Sequence, residues 1–114
     1  MIDKPIMSAK EAVKMISDGS IIMVGGFMGC GTPKSLIDAL NEQGTRDMTL
    51  ICNDTAIYNP DKSLITGVAP LVINKRFKRI IASHIGTNRE TGRQMNENET
   101  EVILIPQGTL AEKI

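Results

Sequence analysis

The chain has 114 residues, 13 basic and 13 acidic side chains, and a formal net charge of zero. That length supports one domain around one core, the charge balance leaves no nucleic-acid footprint, and no apolar run approaches the ~20 residues of a membrane span. Aromatics are scarce (two Phe, one Tyr, no Trp), so Ile, Leu, Val and Met must build a core that suits alternating strands and helices better than an aromatic-rich sandwich.

Taken in order, Ser8-Ala-Lys-Glu11 is a capping box, with serine at the cap and glutamate three residues on. Ala9, Ala12, Val13 and Ile16 continue it as one apolar helical stripe, ending at the turn signal Asp18-Gly19. Ile21 to Val24 is a short apolar run, which predicts a strand buried on both faces. Gly25 to Gly31 is a glycine-dense loop closed by Thr32-Pro33. Thr32 is placed to cap the next helix with its hydroxyl, and Pro33 suits the first helical position, where its missing N–H goes unused. Lys34 to Glu42 reads as that helix, with Leu36, Ile37 and Leu40 at helical spacing and Gly44 as its stop.

Met48 to Cys52 predicts a second strand, ending in the polar Asn53-Asp54-Thr55. Residues 56–67, rich in Asn, Pro, Asp, Ser and Gly, read as an irregular loop without an assigned role. Val68 to Asn74 suits a short helix with Pro70 in its first turn. The basic cluster Lys75-Arg76-Phe77-Lys78 reads as a solvated rim before a third strand, Arg79 to Ser83. Asn88 caps a polar helix running to about Asn98, and Glu101 to Ile105 is a fourth strand ending at Pro106-Gln107-Gly108. Thr109-Leu-Ala-Glu112 is a second capping box, expected to open a helix at least two turns long. The chain stops at Ile114, so residues 1–114 read as a single α/β domain that is the front portion of a longer one.

This order predicts an open, mostly parallel sheet with helices on both faces. Ligands of such sheets bind beyond the C-terminal strand ends. Four polar strand ends should therefore share one edge: Gly25–Gly31, Asn53–Asp54, Ser83–Gly86 and Pro106–Gly108.

The glycine loop fails two nucleotide motifs. A dinucleotide loop needs Gly at i, i+2 and i+5; Phe27, Met28 and Lys34 break the three possible frames. A phosphate-binding P-loop needs Gly, four residues, Gly, Lys; Gly26 and Gly31 have the spacing, but Thr32 stands where the lysine belongs. Taken alone, the glycines are equally well a tight structural turn or a backbone approach to a ligand.

The wider pattern is more specific. Asp18-Gly19, the apolar run, Gly25-Gly26-Phe27, Gly31 and Pro33 together resemble the glycine-loop signature of the A-type polypeptides of the 3-oxoacid CoA-transferases (family I). The resemblance continues through Ile51-Cys-Asn-Asp54, Ile80-Ile-Ala-Ser-His-Ile-Gly86 and Pro106-Gln-Gly-Thr-Leu110, covering nearly the whole chain, and is strongest to the alpha subunits of the bacterial acetate (butyrate–acetoacetate) type.

The resemblance implies movement of CoA between a short-chain acyl-CoA and a carboxylic acid such as acetate or acetoacetate. In the family, a glutamate of a B-type partner attacks the thioester, so the implied assembly is an A2B2 heterotetramer with a beta subunit. Asn53 and Gln107 match the family's amide donors to the oxyanion. Gly25, Gly26, Phe27, Gly29 and Gly31 match its substrate-facing loop. No metal or redox cofactor is implied; acyl-CoA is a substrate. None of this chain's own glutamates stands beside glycines at a strand end, so half an active site is expected here.

His84, the only histidine, receives no role, and Cys30 reads as a small packing residue. Cys30 and Cys52 match no metal or redox spacing, and free thiols without an apolar signal segment fit a cytoplasmic protein. Two alternatives stay open: a non-catalytic fragment binding an anion or CoA, and a sugar-phosphate isomerase-like enzyme on a related fold. The second requires an acid–base pair near the loop, which the sequence does not display.

Overall fold

The computed structural model describes residues 2–114. Helix α1 (Ala9–Val13) opens on the expected capping box: Ser8 Oγ accepts from Glu11 N at 3.1 Å, and Ser8 N donates to Glu11 Oε2 at 3.4 Å. It is followed by β1 (Ile21–Val24), α2 (Lys34–Gln43) and β2 (Met48–Cys52). Next come a small hairpin of β3 (Tyr58–Asn59) and β4 (Leu64–Ile65), then α3 (Ala69–Ile73) and β5 (Phe77–Ala82). Helix α4 (Arg89–Asn96), β6 (Glu101–Leu104) and α5 (Gln107–Lys113) complete it. The principal sheet has the order β1-β2-β5-β6, with every pairing parallel.

Strand alternation explains where the core lies. Leu50 and Cys52 of β2 and Ile80 and Ala82 of β5 point to the face covered by α2 and α3, where they pack with Ile37, Leu40, Leu71 and Val72. Burying each large aliphatic side chain there contributes roughly 1.5–3 kcal/mol. Helix α5 lies on the opposite side: Leu110 and Ile114 share a cavity of about 250 Å³ with Met23 and Ile51, which alternate away from that core.

Several expectations need correction. Strand β1 is not buried on both faces: Ile21 is 71% exposed and Met23 62%, because β1 is an edge strand. The doubly buried strand is β2, where even Thr49 is covered. Thr32 does not cap α2. Pro33 occupies the cap without a side-chain bond, while Thr32 Oγ1 donates to Gly25 O at 3.0 Å and closes the glycine loop on itself. The third strand starts at Phe77, whose buried ring pulls half of the basic cluster into the sheet. Thr109 is no cap either, since α5 begins at Gln107 directly after Pro106, whose carbonyl accepts from Leu110 N at 2.9 Å. Residues 56–67 hold the β3–β4 hairpin and a single 3-10 turn, Pro60–Lys62. Cys30 is exposed rather than packed.

Asn88 caps α4 as expected, its Oδ1 accepting from Glu90 N at 3.1 Å and Thr91 N at 3.2 Å. Its Nδ2 also donates to Thr55 O at 2.8 Å, tying α4 to the chain leaving β2. That bond contributes to the alignment of the strand ends.

Candidate active site

The C-terminal ends of the strands surround a cleft of about 390 Å³, lined by Phe27, Met28, Asn53, Asp54, Ser83, His84 and Gln107. All four anticipated strand ends reach it. The parallel register extends past the ladder through a bridge between Asp54 and His84. Ser83 ties in as well, its N and Oγ donating to Asn53 O at 2.9 and 2.8 Å. Another cavity, about 380 Å³, lies elsewhere, between α1, β1 and α2. It is lined by side chains such as Ile16, Ile22 and Leu36, without a titratable group, and offers no chemistry.

The glycine loop forms a tight hairpin turn. Phe27 and Cys30 exchange both backbone bonds, N to O at 3.0 and 2.9 Å, with Met28 and Gly29 at the tip. Both tip residues have positive φ, +55° and +92°, the hallmark of a type I′ turn. A methionine is strained there, since a left-handed conformation suits Gly, Asn or Asp. The strain is held by its surroundings. Met28 N donates to both oxygens of Asp54 at 3.1 Å, and Met28 O accepts from Thr66 Oγ1 at 3.0 Å.

Ala56 repeats this arrangement. Its φ is +62°, its N–H donates to Asp54 Oδ1 at 2.8 Å, and its carbonyl accepts from Thr87 Oγ1 at 2.8 Å. One buried carboxylate thus anchors two left-handed residues, and a threonine hydroxyl closes each from the other side. Asp54 Oδ2 also accepts from Asn53 Nδ2 at 2.7 Å.

The anticipated loop residues divide into two groups. Gly26 and Gly29 face protein: a side chain at Gly26 would collide with Thr32, and one at Gly29 would meet Thr66 Cβ at 2.6 Å. A Cβ at Gly25 would meet nothing within 4 Å and one at Gly31 only the Gly26 Cα at 3.9 Å, but neither glycine lines the cleft, whereas Phe27, 66% exposed, does. Gln107 is exposed at the first position of α5, between the cleft and the small cavity beneath that helix. Asn53 is half-buried at the end of β2.

Sequence reading missed Asp54, Thr66 and Thr87. The Asn-Asp-Thr run marked a polar strand end, but nothing in spacing shows that Asp54 reaches back to residue 28. The structure also brings His84 to the cleft beside Asp54. Asp54 is only 5% exposed and its oxygens face N–H donors, so it acts as an anchor rather than a free base. Cys52, one residue before Asn53, is no nucleophile: burial, reinforced by the Asp54 charge, pushes its thiol up to about 12.

A family model described as coenzyme A transferase matches residues 6–114. The chain belongs to the coenzyme A transferase family. It is 53% identical over 109 residues to the alpha subunit of acetate CoA-transferase from Escherichia coli, covering 96% of this chain and 47% of that relative. It is 47% identical over 113 residues to the acetoacetyl-CoA:acetate/butyrate CoA transferase alpha subunit of Clostridium acetobutylicum, covering 99% and 49%. The chain thus spans about half the length of these curated relatives. Among solved structures, an acyl-CoA transferase from E. coli O157:H7 superposes with a TM-score of 0.69 at 24% identity, over 91% of this chain and 22% of that one. That likeness speaks for the fold alone. Among the described residues no helix is long and apolar enough to cross a membrane.

Proposed function

We propose that this coenzyme A transferase chain forms the A-type half of an active site that moves CoA between a short-chain acyl-CoA and a carboxylic acid such as acetate or acetoacetate. The observation that carries the reading is the meeting of two uncharged amides, Asn53 and Gln107, at one cleft beside the glycine turn. The names of the similar alpha subunits point to the same chemistry.

The reaction needs a carboxylate nucleophile. Among the described residues Asp54 is the one carboxylate lining the cleft, and it is committed to N–H groups; the resemblance to A-type polypeptides implies that the attacking glutamate belongs to a B-type partner. That glutamate attacks the thioester carbonyl of the acyl-CoA. The C–S bond breaks, CoA thiolate leaves, and an acyl–glutamyl anhydride remains. The thiolate then attacks the glutamyl carbonyl, giving a glutamyl-CoA thioester and the free acid. A second acid reverses the sequence and leaves as its CoA thioester. Negative charge collects on a carbonyl oxygen at each attack. Neutral amide donors fixed at that position stabilise it without needing a proton of their own.

In this reading Gly25 leaves room in the small cavity that Gln107 also lines, and Phe27 walls the acyl or thioester end. Covalent catalysis through glutamate calls for no metal or redox cofactor; acyl-CoA is substrate. The assembly is an A2B2 heterotetramer, and two unpaired thiols fit a cytoplasmic setting.

The test is co-expression of the natural polypeptide carrying this segment with a B-type partner, followed by CoA exchange between acetyl-CoA and acetoacetate. A stable complex, exchange, and a CoA adduct on a partner glutamate are expected. Absence of both complex and exchange overturns the reading.

A further inference from the structure

We propose that Asp54 is a positioning residue whose carboxylate dictates which end of the Asn53 amide meets the reacting carbonyl. The inference rests on the CoA-transferase reading above and goes one residue beyond it.

An asparagine side chain has a donor end and an acceptor end, and rotation by half a turn exchanges them. A carboxylate only accepts. Asp54 Oδ2, 2.7 Å from Asn53 Nδ2, therefore requires the NH2 end to face it. One N–H of that nitrogen is held, and the other is left for an oxyanion. Asp54 cannot turn away, because Met28 N and Ala56 N hold its two oxygens from the backbone and only 5% of the residue is exposed. The same contacts fix the glycine turn, so loop and donor share one register. A preorganised donor is worth far more than one that must be reoriented during the reaction.

The isosteric variant Asp54→Asn keeps most of the anchoring and reverses the positioning contact. Its Oδ1 still accepts from Met28 N and Ala56 N and only the second Met28 contact is lost, but its NH2 end meets Asn53 as a donor and favours the flipped amide. In the complete enzyme with its B-type partner, kcat should fall at least about 10-fold, with KM for acetyl-CoA within about 2-fold and assembly intact. Asn53→Ala should lower kcat too, and adding Asp54→Asn to it should cost little more, since one acts through the other.

An unchanged kcat in Asp54→Asn, or equal losses with and without Asn53, overturns the positioning role while leaving the transferase reading standing. An active wild type with a fully active Asn53→Ala overturns both the donor role and this inference. An inactive wild-type complex overturns the transferase reading, and this one with it. If Asp54→Asn fails to assemble, hydrogen exchange at the Asn53 side-chain amide of the wild-type enzyme decides. One protected and one open Nδ2 proton are expected; two equally exchanging protons overturn the proposal.

Discussion

A Cβ placed on Gly29 would stand 2.6 Å from the Cβ of Thr66, closer than two carbon atoms of different residues can approach. The hairpin tip and the chain leaving β4 are thus in backbone contact, and a Cβ on Gly67 would in turn stand 2.9 Å from the Gly29 Cα. This contact separates glycines that build the loop from glycines that leave it open.

Gly29→Ala should therefore destabilise the protein by about 1–3 kcal/mol, since the clash adds to the cost of a left-handed alanine at φ +92°. Gly25→Ala meets nothing within 4 Å and should change stability by less than about 0.5 kcal/mol. Denaturant titration measures both. On the transferase reading the Gly25 variant should instead slow CoA exchange, because its methyl would project into the small cavity beneath α5 that Gln107 also lines. Equal stability losses at the two glycines would contradict this division.

Asn53→Ala and Gln107→Ala should each lower the CoA-exchange rate about 100-fold or more while the subunits still assemble, as loss of an oxyanion donor does. Size-exclusion chromatography beside a steady-state assay checks both halves of the statement. Wild-type rates in either variant would remove that residue from the catalytic role.

Acid should weaken the ion pairs that hold α4. Arg93 bonds Glu90 and Glu99 at 2.7 and 2.8 Å, and these hydrogen bonds, followed by its charge, hold both carboxyls below their ordinary 4.5. A lowered folded-state value means stability that is fully present above the unfolded value and is lost as pH falls through the folded one. Melting temperature should be flat near neutrality and decline below about 4.5. Arg93→Leu should reduce the slope there. An identical acid profile in that variant would rule out the ion pairs as its cause.

The two cysteines should react in sequence. Cys30 is exposed, whereas the buried Cys52 thiol is pushed up to about 12. A maleimide at pH 8 should modify the Cys30 peptide in the native protein and the Cys52 peptide only after denaturation, as read by peptide mass spectrometry. Fast native labelling of Cys52 would mean that the end of β2 opens readily.

Much of this was legible in the residues. Capping signals at Ser8 and Asn88 and the apolar runs of β2 and β6 fixed elements because those signals are local. The convergence of Asn53 and Gln107 followed from parallel strand order alone. Burial of β1 was misjudged because a continuous apolar run looks alike at a sheet edge and at its centre; only pairing partners separate the two. Thr32 and Thr109 misled for a related reason. A threonine before a helix has the same sequence signature whether its hydroxyl caps the helix or bonds a carbonyl seven residues away, as Thr32 does with Gly25. The anchor at Asp54 was invisible because its contacts with residue 28 are nonlocal.

The nonlocal anchors also tie the turn to closure of the sheet. Met28 is held by partners 26 and 38 residues along the chain, and its sulfur lies 3.5 Å from a hydroxyl 59 residues away. Without them a methionine at φ +55° has little to keep it there. Those separations are like the strand pairings' own, Ile21 with Thr49 and Thr49 with Arg79. The turn is therefore locked by the same closures that build the sheet, and native-state hydrogen exchange should find the Met28 and Ala56 amides, both bonded to the buried Asp54, protected together.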